Sequence, residues 1–284
     1  MSPTLQYEVV DVFTETPYAG NPLAVVLDAD ELSDRQLQAV AREFNLSETA
    51  FPLVPPAGAD YRLRIFTPVV ELPFAGHPSV GAAWVLHRLG RIAAGEVVQA
   101  CGAGLLPVTV SGSGATLTGG PPSYGEPLDP GPLLEAVGLS AADLDGPPPR
   151  WAGAGIDFAY LPVRAAAVAG ARPDLSRLAA LGGAGVSVFA WEGAVARTRV
   201  FAGGVGVAED AATGSAALGL GAWLAAGGLL PDGAHDYVIE QGVEMGRAAT
   251  LRCTVEVVGG RAVRGTVSGG VVPIARGEIT IPPA

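Results

Sequence analysis

Short runs in which apolar residues alternate with others, or stand together, recur along the chain and predict strands at Tyr7 to Thr14, Leu23 to Leu27, Glu48 to Val54, Tyr61 to Phe66, Leu106 to Val110 and Ala115 to Thr118. The same pattern returns at Phe158 to Val163, Val186 to Trp191, Arg197 to Phe201, Tyr237 to Glu240, Ala249 to Val258 and Ala262 to Val267. One stretch has helical spacing with both ends marked. Ser33 and Gln36 form a capping box, Leu32 staples to Leu37, and Asn45 supplies a left-handed stop, so a helix is expected from Asp34 through Phe44. The Pro/Gly-rich stretch Gly119 to Pro132 reads as a linker.

The chain also repeats itself. Arg62-Leu63-Arg64-Ile65-Phe66 matches Arg197-Thr198-Arg199-Val200-Phe201, and each copy leads to a glycine turn and a helix of small apolar residues, about His77 to Leu89 and Ser215 to Ala226. Helices apolar nearly all round suit enclosure by a sheet. The second is mostly Ala and Gly, which contribute little to membrane insertion, so a spanning segment is not expected. The repeat divides the chain into residues 1–118 and 119–274, with a C-terminal strand at 275–284 packing back on the first half.

Composition narrows the chemistry. All 17 basic residues are arginine, which removes lysine Schiff bases, lysine-held pyridoxal phosphate and the P-loop lysine. The net charge of −11 disfavours nucleic acid and anionic membranes as partners. Two distant cysteines and three scattered histidines give neither a disulfide framework nor a zinc pattern, so no metal is expected. The start, MSPTLQYEVVDVF, has no basic leader before an apolar run, and a reducing cytoplasm is the expected setting.

Each strand–turn–helix unit leaves backbone N–H groups unpaired at its helix start, a cradle for an anion such as a carboxylate. The plainer reading of Gly76 and Gly214 is close helix packing, but both turns also carry ionisable residues. His77 opens the first helix, and His87 and His235 take a structural reading. Asp210, three residues before Thr213, either caps the second helix or serves the site. Glu48 stands just past a helix end in an apolar strand start, where desolvation would raise a carboxyl pKa toward the range useful for proton transfer.

Several motifs, in order along the whole chain, resemble the phenazine-biosynthesis PhzF-like isomerases: Asp11-Val12-Phe13, Gly20-Asn21-Pro22-Leu23-Ala24-Val25, Asn45-Leu46-Ser47-Glu48-Thr49-Ala50-Phe51, Glu71-Leu72-Pro73-Phe74-Ala75-Gly76-His77-Pro78, Glu209-Asp210 through Thr213-Gly214-Ser215-Ala216, and Gln241-Gly242 through Met245-Gly246-Arg247. The resemblance implies an α+β diaminopimelate epimerase-like fold: two pseudo-symmetric halves, each a mixed sheet round a central apolar helix, with the active site in the cleft between them. It makes Glu48 the proton-transferring acid/base, His77 and Asp210 its polar partners, and Gly76, Ser79, Thr213, Gly214 and Ser215 the substrate-binding residues. Related racemases use a cysteine at each turn, whereas this chain has Gly76 and Asp210 there, which disfavours a two-thiol mechanism. Ala211, Ala202-Gly203 and Ala248-Ala249 depart from the family pattern in the loops that would shape the substrate pocket.

The expectation is a cofactor-independent isomerase acting on a small carboxylate-bearing substrate, with a homodimer implied by the resemblance. A non-catalytic metabolite-binding protein on the same fold is the alternative. A nucleotide-binding oxidoreductase rests only on the fragments Gly153-Ala154-Gly155 and Gly204-Val205-Gly206, which lack the rest of the dinucleotide fingerprint.

Overall fold

A computed structural model describes residues 3–203 and 207–283, and the fragment Gly204-Val205-Gly206 therefore lies outside the described residues. The chain divides into two units. The first comprises the residues up to Thr118 together with those from Ser268 onward, and the second is Gly119–Val267.

In the first unit β1 (Thr4–Val12) and β2 (Asn21–Val26) precede α1 (Asp34–Phe44), followed by β3 (Glu48–Leu53), β4 (Tyr61–Phe66), the two-residue β5 (Glu71–Leu72) and α2 (Gly76–Arg88). Then come β6 (Gly95–Cys101), β7 (Gly104–Ser111) and β8 (Gly114–Thr118). The ends of α1 fall where local signals put them. Gln36 Oε1 accepts from the Ser33 N–H at 3.0 Å, and Asn45 adopts φ 51° while its N–H donates to Ala41 O. Leu37, Val40 and Ala41 lie on one helix face and join Val26, Phe51 and Phe66 in a buried cluster.

The second unit runs β9 (Ser123–Pro127), α3 (Pro130–Val137), β10 (Arg150–Gly153), β11 (Asp157–Pro162), α4 (Ala165–Val168), α5 (Leu175–Leu181), β12 (Val186–Glu192), β13 (Val195–Ala202) and β14 (Val207–Asp210). α6 (Gly214–Ala226), β15 (Gly233–Gln241) and β16 (Ala249–Val258) follow, and β17 (Arg261–Thr280) runs from this unit into the first, where it pairs with β1. The stretch expected as a linker, Gly119 to Pro132, instead contains β9 and the start of α3. Tyr124, the one large side chain of β9, is a weak strand signal, and β9 is held by pairing with β10 rather than by its own pattern. The last strand is also far longer than Ala262 to Val267, because its glycines interrupt the hydrophobic pattern without interrupting the ladder. Gly153-Ala154-Gly155 lies at the β10–β11 hairpin and not between a strand and a helix, so it offers no dinucleotide turn.

The internal repeat reappears as strand pairing. In the first unit β1 is antiparallel to β2, β2 parallel to β3, β3 antiparallel to β4, β4 parallel to β6 and β6 antiparallel to β7. The second unit gives the same succession with β10, β11, β12, β13, β15 and β16. Each mixed sheet holds one helix: α2 touches β1, β2, β3, β4, β7 and β8, and α6 touches β9, β10, β11 and β16. Both helices are buried along nearly their whole length, as their uniformly apolar composition requires. Close packing explains the small residues. A Cβ on Gly219 would lie 2.3 Å from Tyr160 Oη, the hydroxyl that donates to Ala216 O and holds the first turn of α6.

Matching struts support the two glycine turns. Arg64 on β4 makes a two-pronged bond to Glu71 at 2.7 and 2.6 Å, and Arg199 on β13 does the same with Glu209 at 2.8 and 2.8 Å. Each guanidinium sits 5.0 Å over the phenylalanine two residues on, Phe66 or Phe201. The repeated R-x-F sequence thus pins the short strand, β5 or β14, that delivers the chain to each helix.

Candidate active site

Glu48 is the first residue of β3, entered directly from the left-handed stop at Asn45. Its parallel register with β2, Leu23 opposite Glu48, brings the start of β2 to the same end of the sheet. That start depends on Gly20, whose φ of +63° suits glycine and whose Cβ would lie 2.3 Å from Val12 O. The next residue, Asn21, is 1% exposed, and its amide meets both Ser47 Oγ, 3.0 Å from Oδ1, and His77 Nδ1, 3.1 Å from Nδ2.

His77 belongs to the first turn of α2, and its other nitrogen, Nε2, lies 3.5 Å from Glu48 Oε2. The structure therefore joins two of the expected catalytic residues within one unit, both buried, Glu48 at 7% and His77 at 2% exposure. An imidazolium–carboxylate pair and a neutral imidazole beside a carboxylate share this geometry. Burial decides between them, because desolvation pushes the His77 pKa from 6.5 down to about 3 and keeps the ring neutral. At the head of α2 the helix leaves the N–H groups of Gly76 and His77 without intrahelical partners, and Pro78 has no N–H to add. Ser79 is committed elsewhere: its hydroxyl donates to Ala75 O at 2.8 Å and accepts from Gln99 Nε2 at 2.9 Å, which ties the helix start to β6.

In the second unit Asp210 ends β14 and accepts at Oδ2 from the Thr213 hydroxyl at 2.6 Å. Thr213 is the N-cap residue of α6, with Gly214 and Ser215 as its first helical positions, all three buried. Gln241, at the end of β15, knots this turn. Its Nε2 donates to Asp210 O at 2.8 Å and to Thr213 Oγ1 at 3.0 Å, and its Oε1 accepts from the Thr213 N–H at 3.2 Å. Asp210 follows Glu209, so the Arg199 strut reaches the adjacent residue.

Sequence reasoning assigned no role to Asn21, Ser47 or Gln241. The available signal was a polar side chain inside an apolar strand or at its edge, and the partner that gives each a role comes from elsewhere in the chain. Neither cysteine lies at the glycine turns that start α2 and α6: Cys101 ends β6 at its hairpin with β7, and Cys253 is buried on β16, where burial pushes its thiol pKa well up. Among the described residues no group of three or more His, Cys, Asp or Glu could hold a metal ion, and no helix is long and apolar enough to cross a membrane.

The chain matches the family model described as phenazine biosynthesis-like protein over residues 10–277. It is 36% identical to the trans-2,3-dihydro-3-hydroxyanthranilate isomerase of Pseudomonas chlororaphis, covering 97% of this chain and 99% of that one. Among solved structures it is similar to the PhzF-family phenazine biosynthesis protein of Bacillus anthracis, with a TM-score of 0.86, 24% identity and coverage of 98% and 99% of the two chains. A hydroxyproline epimerase from Agrobacterium vitis shares the fold at a TM-score of 0.69 and 14% identity, with 100% and 95% covered. The fold is thus that of the diaminopimelate epimerase-like proteins.

Proposed function

As this chain belongs to the phenazine biosynthesis-like family and is an isomerase like its curated relatives, we propose that it moves a proton between two carbons of a small, cyclic, carboxylate-bearing substrate, with Glu48 as the general acid/base. The observation behind this reading is the buried Glu48 carboxylate at the head of β3, facing a neutral His77 ring. In the first step the carboxylate takes a proton from a C–H bond and the electron pair enters the conjugated system of the substrate. In the second step Glu48 returns that proton to another carbon of the same system. Atoms and electrons balance within the substrate, so the reaction calls for no oxidant or reductant.

His77 Nε2 faces the Glu48 oxygen at 3.5 Å, and Asp210, at the turn before α6, is the other polar residue assigned to the reaction in this reading. Backbone N–H groups at Gly76 and His77, and at Gly214 and Ser215 above the Thr213 cap, are suited to a substrate carboxylate. Ser79 contributes by fixing the first of these turns. The anthranilate skeleton named for the Pseudomonas relative is a six-membered ring bearing a carboxylate, and trans-2,3-dihydro-3-hydroxyanthranilate is the first substrate to try. The resemblance also implies a homodimer, which a solution mass measurement tests.

Glu48→Gln keeps the shape of the side chain and removes the base. Turnover should fall by about 10²- to 10⁴-fold with little change in melting temperature. A Glu48→Gln protein that isomerises an identified substrate at the wild-type rate would rule the assignment out.

A further inference from the structure

The tautomer of His77 can be read from what surrounds Asn21. A primary amide nitrogen has only hydrogens to give, so His77 Nδ1, 3.1 Å from Asn21 Nδ2, must be the acceptor. In a neutral imidazole the single ring proton then sits on Nε2, the atom 3.5 Å from Glu48 Oε2. We infer that Asn21, braced by Ser47, is a positioning residue that locks His77 as the Nε2–H tautomer and so puts the ring proton on the nitrogen facing the Glu48 carboxylate, 3.5 Å away and short of a hydrogen bond in this structure.

The orientation of the Asn21 amide in the structure sets the sense of this chain of atoms. In that orientation the Ser47 hydroxyl, 3.0 Å from Asn21 Oδ1, donates to the amide oxygen and braces the amide with its nitrogen facing the ring. At the other end, the reversed amide would make Nδ1 the protonated nitrogen and set the Nε2 lone pair against a carboxylate oxygen in a buried site. With Glu48 ionised that arrangement is repulsive, and for the carboxylate only the Nε2–H form makes the pair attractive. All four side chains stand at one end of the first unit's sheet: Asn21 opens β2, Ser47 and Glu48 enter β3, and His77 starts α2.

The chemical consequence concerns which form of Glu48 meets the substrate. A donor at Nε2 favours the carboxylate, ready to accept a proton, whereas a lone pair there would favour the protonated acid. Ser47 and Asn21 touch neither the substrate nor the reacting carbons in this scheme and act only through His77. Their catalytic effect rests on the reading of Glu48 as the base, while the tautomer itself does not.

The test is nitrogen NMR on protein labelled with ¹⁵N-histidine near neutral pH. The chain has three histidines, and the His77 signals are those missing from His77→Gln. The expected spectrum has a pyridine-like Nδ1 and a pyrrole-like Nε2, and a protonated Nδ1 in the wild type overturns the inference. Asn21→Asp places an obligate acceptor against Nδ1 and should flip the tautomer, with kcat lowered about 10- to 100-fold and KM nearly unchanged. Should that variant fail to fold, Ser47→Ala should give a mixed tautomer signal, and Ser47→Thr, which keeps the hydroxyl, should restore the single one. A wild-type spectrum from Ser47→Ala overturns the bracing role. Because the spectrum needs no substrate, an Nε2–H ring in a protein whose Glu48→Gln variant remains fully active supports the locked tautomer and refutes only the catalytic reading.

Discussion

Acid should weaken this protein through His77 in a way that one substitution removes. The ring has a pKa near 6.5 in the unfolded chain and is pushed down to about 3 in the folded one by burial. The unfolded state therefore binds a proton that the folded state refuses, and the stability lost grows as pH falls from 6.5 toward 3. At about pH 5 the two proton-binding terms differ by about 1.5 in log units, which at about 1.36 kcal/mol each amounts to about 2 kcal/mol. Above the unfolded pKa this contribution is fully present, and the loss at about pH 7.5 is about 0.1 kcal/mol or less.

The assay is urea unfolding of wild type and His77→Gln at both pH values, with each protein's own pH dependence subtracted. Carboxylates away from His77 and the other histidines titrate alike in the two proteins and cancel, and repeating the pair on a Glu48→Gln background removes the neighbouring carboxylate, so the protein with His77 should lose about 2 kcal/mol more than its His77→Gln partner on acidification. The opposite sign would refute the reasoning. Were His77 an imidazolium held by Glu48, its folded pKa would lie above 6.5, and acidification would stabilise the wild type relative to the variant.

Two further outcomes follow from the struts and turns. Arg199 is 7% exposed, grips Glu209, and gives Nη1 to Ala171 O at 2.8 Å, so Arg199→Ala leaves a half-buried carboxylate and buried carbonyls unanswered and should cost about 3–5 kcal/mol. Its repeat counterpart Arg64 pairs with more exposed acids, Glu71 and Asp34, and Arg64→Ala should cost about 1 kcal/mol or less for the lost ion pairs; equal losses in urea titrations would contradict this account. Asp210→Asn keeps an acceptor for the Thr213 hydroxyl, so the variant should unfold at the wild-type urea midpoint while turnover falls at least tenfold, and unchanged turnover would leave Asp210 a purely structural role.

Much of this molecule is determined by short-range signals. Ser33, Gln36 and Asn45 set both ends of α1 because capping needs only residues within one turn, and those residues fold the same way wherever the helix docks. The alternation along β7 and β16 places Leu106, Val108 and Val110, and Leu251, Cys253 and Val255, on buried faces, because the strand period of two is a local property. The R-x-F repeat announced two like units, and the apolar helices after it could only be enclosed ones. Glu48 was legible as a carboxylate in apolar company. Tertiary structure alone decided what these groups touch. The short strands β5 and β14 form because Arg64 and Arg199 hold their glutamates, and β9 forms because β10 lies beside it, so neither needs a pattern of its own. Ser79 faces Ala75 and Gln99, a partner twenty positions away. Asn21 and His77 stand 56 positions apart, and the tautomer of the ring depends on which amide atom the fold brings against it. A side chain's type is written in the sequence, but the donor or acceptor opposite it is chosen only when distant strands are set in register.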